Sequence, residues 1–300
     1  MKNKIDYLHK YLVMDRQARV ITVFSTNTVN KYCKDIATTP VSIAAMGRLI
    51  SATLMMGSML KGNEKVMVSI DGNGPIGVIK AEADSFGNVR AYATNPSVTA
   101  PLKENGMLDV ASIVGSDGFL SVRRQMNLKE PFIGTSELIS GEIGEDLSYY
   151  YGVSEQTPTI VALGVLSNND GTVRQAGGFI IQLLPNASEE AYQFLEKMLK
   201  NLTSVSALIE KSKTSDQLVY QLFDEAELIL EYPVDYKCFC SKEKTKLLLT
   251  QLTEEELDEE INKDEGLDVT CNFCQHKYHF NSKDLLEVKQ LKKEKDIVIK

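Results

Sequence analysis

Apolar and polar positions change period several times along the chain, and each change marks an element. Val41 to Leu60 is almost unbroken in its apolarity, with Met46, Leu49, Ile50, Leu54, Met55, Met56, Met59 and Leu60 in one stretch of twenty residues. Thr39 ahead of it is a good N-cap and Pro40 falls in the first turn, where a missing N–H costs nothing, so the pattern predicts a helix. A run of this length must be weighed against a membrane span. Arg48 near its middle costs about 2.5 to 3.5 kcal/mol in a bilayer, and Ser42, Gly47, Ser51, Thr53 and Gly57 interrupt it. A helix buried in a protein core is therefore expected, with Gly47 and Ser51 permitting close approach of another element.

After this run the period drops to two. Lys65 to Ile70, Ile76 to Ala83 and Asn88 to Thr94 alternate or run apolar, divided by turn clusters at 71–75 and 85–87, as antiparallel hairpins do. Turns at 116–118 and 168–171 bracket further strand candidates, Thr159 to Leu166 and Phe179 to Leu184. From residue 186 the period is helical again. Asn186 and Glu189 resemble a capping box, and Phe194, Leu195, Met198, Leu199 and Leu202 line one apolar face. Shorter helical stretches near Val205 to Glu210 and Asp216 to Phe223 lead to Tyr232-Pro233, where the residue before proline is biased away from helix. The fold class expected is α+β: a core domain over 1–185 with a mainly antiparallel sheet and packed helices, a helical connector over 186–236, and a small C-terminal module over 237–300.

Composition narrows the range of functions. The 300 residues, 43% hydrophobic and 25% charged, suit a globular chain with room for one large and one small domain. A net charge of -8, from 33 basic and 41 acidic residues, argues against a protein built to grip nucleic acid. The acidity is local, because nine acids and one base, Lys263, lie between Gln251 and Thr270, and that segment alone matches the net charge of the chain. A solvated helix face has this composition. Met1 to Lys10 is polar and charged, without the apolar core of a secretory signal. Five cysteines are too few for a disulfide scaffold and odd in number, so a reducing, cytoplasmic compartment is expected.

Four of those cysteines carry the strongest chemical signal. Cys238-Phe239-Cys240 is followed, after thirty intervening residues, by Cys271-Asn272-Phe273-Cys274. Two close thiol pairs can each supply one edge of a tetrahedron, the geometry that Zn²⁺ accepts from four thiolates at Zn–S distances of about 2.3 Å. One zinc ion held by Cys238, Cys240, Cys271 and Cys274 is the expectation. His276 and His279 follow closely and could compete for ligand positions, although Lys277 to Phe280 reads as a strand leaving the metal-binding turn. Lys237, Lys242, Lys244, Lys246 and Lys277 surround the cysteines, where they would offset the charge of a four-thiolate site or offer a nucleic-acid patch. An ion tying residue 240 to residue 271 closes a long loop. If each close pair instead formed its own disulfide, the new links would enclose one and two residues and would restrict the chain far less. A module of this size has little core to survive on without its metal.

Other motifs carry less. Gly72 to Gly77 matches G-x-G-x-x-G formally, but Val78 to Ala83 alternates as a strand where a dinucleotide fold needs a helix. Common ATPase, zinc-protease and hydrolase signatures are absent, and a shell of four thiolates leaves no open position for substrate water. A non-enzymatic protein is expected. Cys33, with no partner nearby in sequence, reads as a semi-buried structural thiol.

Taken together, the chain resembles the redox-regulated heat-shock protein 33 chaperones. The likeness rests on Gly74-Pro75-Ile76-Gly77, Ala81-Glu82-Ala83-Asp84, Asn95-Pro96, Ser140-Gly141-Glu142-Ile143, Ser154-Glu155-Gln156-Thr157-Pro158, Ala176 to Pro185, and Tyr236-Lys237-Cys238-Phe239-Cys240-Ser241-Lys242-Glu243. The C-x-C with a distant C-x-x-C is its most specific mark. Ala91 and Asn186 stand where the family has glycine, mild departures that bear on turns. The resemblance implies an ATP-independent holdase for unfolding client polypeptides under oxidative stress, dormant when reduced and zinc-bound. Oxidants would join Cys238 to Cys240 and Cys271 to Cys274, expel zinc, unfold the zinc module and a metastable connector over Ser188 to Tyr236, and produce a homodimer. The face of Phe194, Leu195, Met198, Leu199 and Leu202 is then the candidate client-binding surface, and neither nucleic acid nor membrane is an expected partner. A zinc-ribbon regulator that binds nucleic acid is the alternative, recognisable by an affinity that falls steeply with salt.

Overall fold

The structure is a computed structural model that describes residues 5–298 apart from 35, 127–129, 169, 186, 202–203, 213 and 264. Its contacts divide the chain into two units, Met1–Lys237 and Cys238–Lys300.

The first unit begins with β1 (Asp6–Val13), β2 (Ala18–Phe24), α1 (Thr26–Lys34) and α2 (Pro40–Gly57). There follow β3 (Lys65–Asp71), β4 (Ile79–Asp84), β5 (Asn88–Ala93), α3 (Val110–Val114), β6 (Phe119–Gln125), β7 (Phe132–Glu137) and α4 (Gly144–Ser154). The unit closes with β8 (Thr159–Ser167), β9 (Val173–Leu183), α5 (Glu189–Asn201), α6 (Val205–Lys211), α7 (Ser215–Val219) and β10 (Ala226–Tyr236). One ten-stranded sheet runs in the order β7-β6-β3-β4-β5-β10-β1-β2-β9-β8. Its pairings are antiparallel except that of β10 with β5, which is parallel over Asp235–Tyr236 and Asn88–Val89.

Helix α2 is the centre of the larger core. Thr39 caps it by accepting from the Ser42 N–H, and every residue from Val41 to Gly57 except Arg48 is buried. The apolar run that passes a length test for a membrane span is thus the inner helix of this fold, packed across β4, β5, β8 and β9. Arg48 is accounted for by Glu142, whose carboxylate it meets together with Lys103. Burial opposes charge on Glu142, but these two cations hold its carboxyl below the usual range.

Alternation along β1, β2, β8 and β9 sends side chains to both faces of the sheet. Leu8, Ile21, Val23, Val161, Leu163 and Ile180 join the α2 core. Tyr11, Val13, Val20, Ile160, Ala162, Phe179 and Ile181 form a second cluster, closed from outside by Leu195 of α5, by Leu218 and Val219 of α7, and by Phe223. Polar anchors reinforce the docking. Tyr11 OH donates to Asp216 at 2.7 Å, Ser188 N–H to Gln17 Oε1 at 2.7 Å, and Gln175 Nε2 to the Ile209 carbonyl at 2.8 Å. Gly164 permits the closest approach, since a Cβ there would stand 2.9 Å from Ser206 Cα and from Ile209 Cδ1 of α6.

The expected connector is helical only through α5, α6 and α7. Its last eleven residues are the strand β10, which corrects the expectation of a helical segment up to Tyr232-Pro233. For these residues β1 offers a ladder from Asp6↔Val234 to Val13↔Ala226, broken by one bulge between Lys10 and Tyr11. Pro233 is tolerated because β10 is bonded on its other side only at Asp235 and Tyr236, so no ladder N–H is missed. Strands β1, β2, β6 and β7 are also additions to the expected set. The capping pair fares differently: Asn186 lies outside the described residues, and Ser188 Oγ accepts from the Ala191 N–H at the start of α5. The G-x-G-x-x-G segment is a turn held to α3, with Gly74 N–H donating to the Val114 carbonyl at 3.1 Å and a strand, β4, following it.

The second unit contains α8 (Lys242–Leu249), α9 (Glu254–Ile261), β11 (Leu267–Thr270), β12 (Lys277–Phe280) and α10 (Ser282–Val298). Its core is small: among the described residues, Leu249, Leu257, Phe280, Leu285 and Val288 are its buried members. Acidic α9 buries Leu257 and exposes its charges, two of which, Glu254 and Asp258, face Lys289 of α10.

Replacing Gly164 by alanine is expected to cost about 1 to 3 kcal/mol of α6 docking, because backbone cannot yield to the new methyl. Hydrogen exchange should speed up over 205–211 while β8 keeps its protection.

Candidate metal centre

Each cysteine pair is presented by its own local structure. Ser241 caps α8 by accepting from the Lys244 N–H, so Cys238-Phe239-Cys240 lies just ahead of a helix start. Lys244 Nζ fixes the middle of that segment by donating to the Phe239 carbonyl at 2.7 Å. The second pair sits in the turn that joins β11 to β12. There the Cys271 N–H donates to the His276 carbonyl at 2.9 Å, and the Gln275 N–H donates to the Cys271 carbonyl at 2.8 Å. Gln275 closes this turn with φ of 57°, in the left-handed region.

All four sulfur atoms lie within 4.8 Å of one another and all four residues are half-buried. Cys238 Sγ is 3.7 Å from Cys271 Sγ, and Cys240 Sγ is 3.5 Å from Cys274 Sγ. A zinc tetrathiolate with bonds of about 2.3 Å has tetrahedral edges of about 3.8 Å, whereas a disulfide is about 2.05 Å. No disulfide joins the four residues, and their spacing fits a tetrahedral ion with a preference for sulfur. Crowding has an electrostatic consequence. Partial burial pushes the Cys274 thiol well up, the Cys240 and Cys238 thiols add to the rise, and the backbone N–H of His276 opposes it. A dication among the sulfurs reverses that penalty, since a coordinating thiol is deprotonated outright.

Neither histidine joins the cluster. His276 is exposed, its ring edge-on to Tyr278 at 4.6 Å, and His279 Nδ1 lies 2.8 Å from the Asp268 carboxylate. The structure thus brings the four cysteines together and leaves both histidines outside the cluster. Of the surrounding lysines, Lys242 bonds Asp284 at 2.8 Å and overlies the Phe280 ring, and Lys246 pairs with Glu287. These two ammonium groups tie α8 to α10 and do not form a separate basic patch. Tyr278 is the functional residue that sequence reasoning missed, for its hydroxyl donates to Cys240 Sγ at 3.1 Å. It stood in the strand read as leaving the metal turn, and nothing local to that strand indicates a sulfur from a segment 38 residues earlier.

Cys33 lies apart from the cluster, half-buried in α1, where burial pushes its thiol up to about 11 against the opposing hydrogen bond of Thr38. The expected client-binding face is divided. Leu195 is buried and Met198 half-buried against the second cluster, Phe194 is 44% exposed with its ring 6.0 Å from that of Phe223, and Leu202 and the side chain of Leu199 lie outside the described residues.

Comparison with known proteins agrees with this architecture. The family model described as Hsp33 protein matches residues 6–281. A 33 kDa chaperonin of Oceanobacillus iheyensis is 41% identical over 95% of this chain and 99% of its own length. That of Staphylococcus carnosus is 42% identical over 93% and 96%. The crystal structure of a 33 kDa chaperonin (heat shock protein 33 homolog) from Thermotoga maritima superposes with a TM-score of 0.83 at 33% identity, covering 97% of this chain and 99% of that one. With the match running through the sheet, the connector and the four-cysteine unit, the chain belongs to the Hsp33 family of chaperones.

Proposed function

We propose that the chain is a redox-regulated, ATP-independent holdase of the cytoplasm, dormant with one zinc ion held by Cys238, Cys240, Cys271 and Cys274, and activated when these thiolates are oxidised. The observation that carries the reading is the convergence of four cysteine sulfurs, from segments thirty residues apart, in a unit whose buried apolar cluster, among the described residues, is five side chains. When bound, zinc supplies a divalent positive centre that keeps the four thiolates together and so cross-links the unit. In small zinc modules this is worth about 10 to 16 kcal/mol at neutral pH, and a core this small does not replace it.

Oxidation uses the same atoms. A thiolate pair gives two electrons to one hydrogen peroxide, a sulfur–sulfur bond forms, the O–O bond breaks, and two protons complete two waters. Two such events consume all four thiolates and leave no anionic sulfur to hold a cation. Resting distances do not select the partners, since sulfurs of different pairs already lie 3.5 and 3.7 Å apart. Pairing within Cys238–Cys240 and within Cys271–Cys274 is the reading adopted here, because it leaves loops of one and two residues and abolishes the long-range link.

Release of the connector follows as the second half of the proposal. Helices α5 and α7 are held by an apolar cluster whose inner half is the sheet surface of Tyr11, Val20, Phe179 and Ile181. Undocking would bare that surface together with Leu195, Met198 and Phe194, a large apolar area of the kind that captures unfolding polypeptides or a second copy of the chain.

Two measurements test this. Removing zinc from the reduced protein with a chelator is expected to abolish amide protection across 242–298 while the ten-stranded sheet keeps its own. Treating the zinc-loaded protein with peroxide at raised temperature is expected to release one zinc per chain, consume four thiols and confer suppression of client aggregation in parallel. Full suppression by the reduced form, or a mapped bridge between Cys238 or Cys240 and the second pair, would overturn the switch.

A further inference from the structure

Around the four sulfurs, the β11–β12 hairpin contributes more than two ligands. The backbone N–H of His276 bonds Cys274 Sγ, and two residues on, the hydroxyl of Tyr278 donates to Cys240 Sγ at 3.1 Å. These two sulfurs come from different pairs and stand 3.5 Å apart. The tyrosine is held firmly for this purpose. Its backbone pairs with Val269 in the hairpin ladder, the His276 ring meets it edge-on at 4.6 Å, and its ring packs on the core of Leu249, Leu257 and Phe280. The side chain therefore reaches from the hairpin to the other cysteine segment by a direct hydrogen bond.

We infer that Tyr278 is a positioning residue that sets how readily Cys240 leaves the reduced state. This rests on the zinc switch proposed above. A hydroxyl donor to a thiolate makes a charge-assisted hydrogen bond, about twice as strong as a neutral one. It stabilises the resting anion and spreads the excess negative charge of a four-thiolate site. In the oxidising step the Cys240 sulfur attacks a peroxide oxygen, an S–O bond forms, and the O–O bond breaks with loss of hydroxide. The Cys238 thiolate then displaces a second hydroxide from that sulfur to make the disulfide. Negative charge moves from sulfur to the departing oxygen as the first step proceeds, so a donor aimed at the sulfur stabilises the reactant more than the transition state. The hydroxyl slows oxidation and tightens metal binding by the same bond, as partners outside a ligand shell do elsewhere.

The test compares the zinc-loaded protein with Tyr278→Phe, which removes only the oxygen, and with 3-fluorotyrosine at position 278, whose hydroxyl is a stronger donor. Zinc release under peroxide is followed with a chromogenic chelator, and Cys240 oxidation by differential alkylation and mass mapping. The phenylalanine variant is expected to lose zinc and oxidise Cys240 on the order of ten-fold faster, with the fluorinated protein slower than the parent. Equal rates in all three proteins overturn the inference, and so does a fluorinated protein that behaves like the phenylalanine variant, which would point to packing. If the phenylalanine variant does not fold, the fluorinated protein decides alone: slower release supports the role and an unchanged rate overturns it. A parent protein that binds no zinc, or keeps it under peroxide, sinks the underlying switch instead.

Discussion

The meeting of four sulfur atoms from two segments is the constraint on which the C-terminal unit depends. Helix starts, turn geometry and one tyrosine hydroxyl all serve to present those sulfurs at tetrahedral spacing. The apolar contribution is modest by comparison, among the described residues a buried cluster of five side chains shared by three helices and a two-stranded hairpin. Two-stranded ribbons are marginal alone in water. A unit built this way relies on its sulfur cluster more than on its apolar core.

The larger unit distributes its stability differently. Its inner core around α2 is extensive and free of any comparable weak point, while the outer face of β1, β2, β8 and β9 is closed by short helices with few buried residues each. Helices α6 and α7 have seven and five residues, lengths at which isolated helices do not persist in water. They are helical because the sheet is there to receive them. Gly164, Gln175 and Tyr11 show the sheet shaped for that role, by close approach in the first case and by hydrogen bonds in the others. The cover of this sheet face is thus held by small contributions spread over many places.

Charge follows the same economy of local pairing. The acidic run between residues 251 and 270 has the composition of a solvated helix face, and α9 turns its carboxylates to water and to Lys289. Lysines beside the cysteines meet Asp284 and Glu287 across the α8–α10 contact. Opposite charges that are far apart in sequence thus neutralise one another within the unit.

Much of this was legible from the chain alone because it is local. The α2 helix, with its cap and its proline, and the hairpins with their turn residues follow from spacing within a few positions. So does the identity of the four cysteines, since C-x-C and C-x-x-C are short-range patterns whose chemistry allows few readings. What remained illegible depends on partners distant in sequence. Residues 226–236 are a strand because β1, more than two hundred positions earlier, supplies a ladder that outweighs their ambiguous periodicity. The separation of His276 and His279 from the sulfur cluster, and the bond from Tyr278 to Cys240, were decided by how a hairpin turn lies against a helix start. No window along the chain contains both, so only the folded arrangement could choose among side chains that composition made equally eligible.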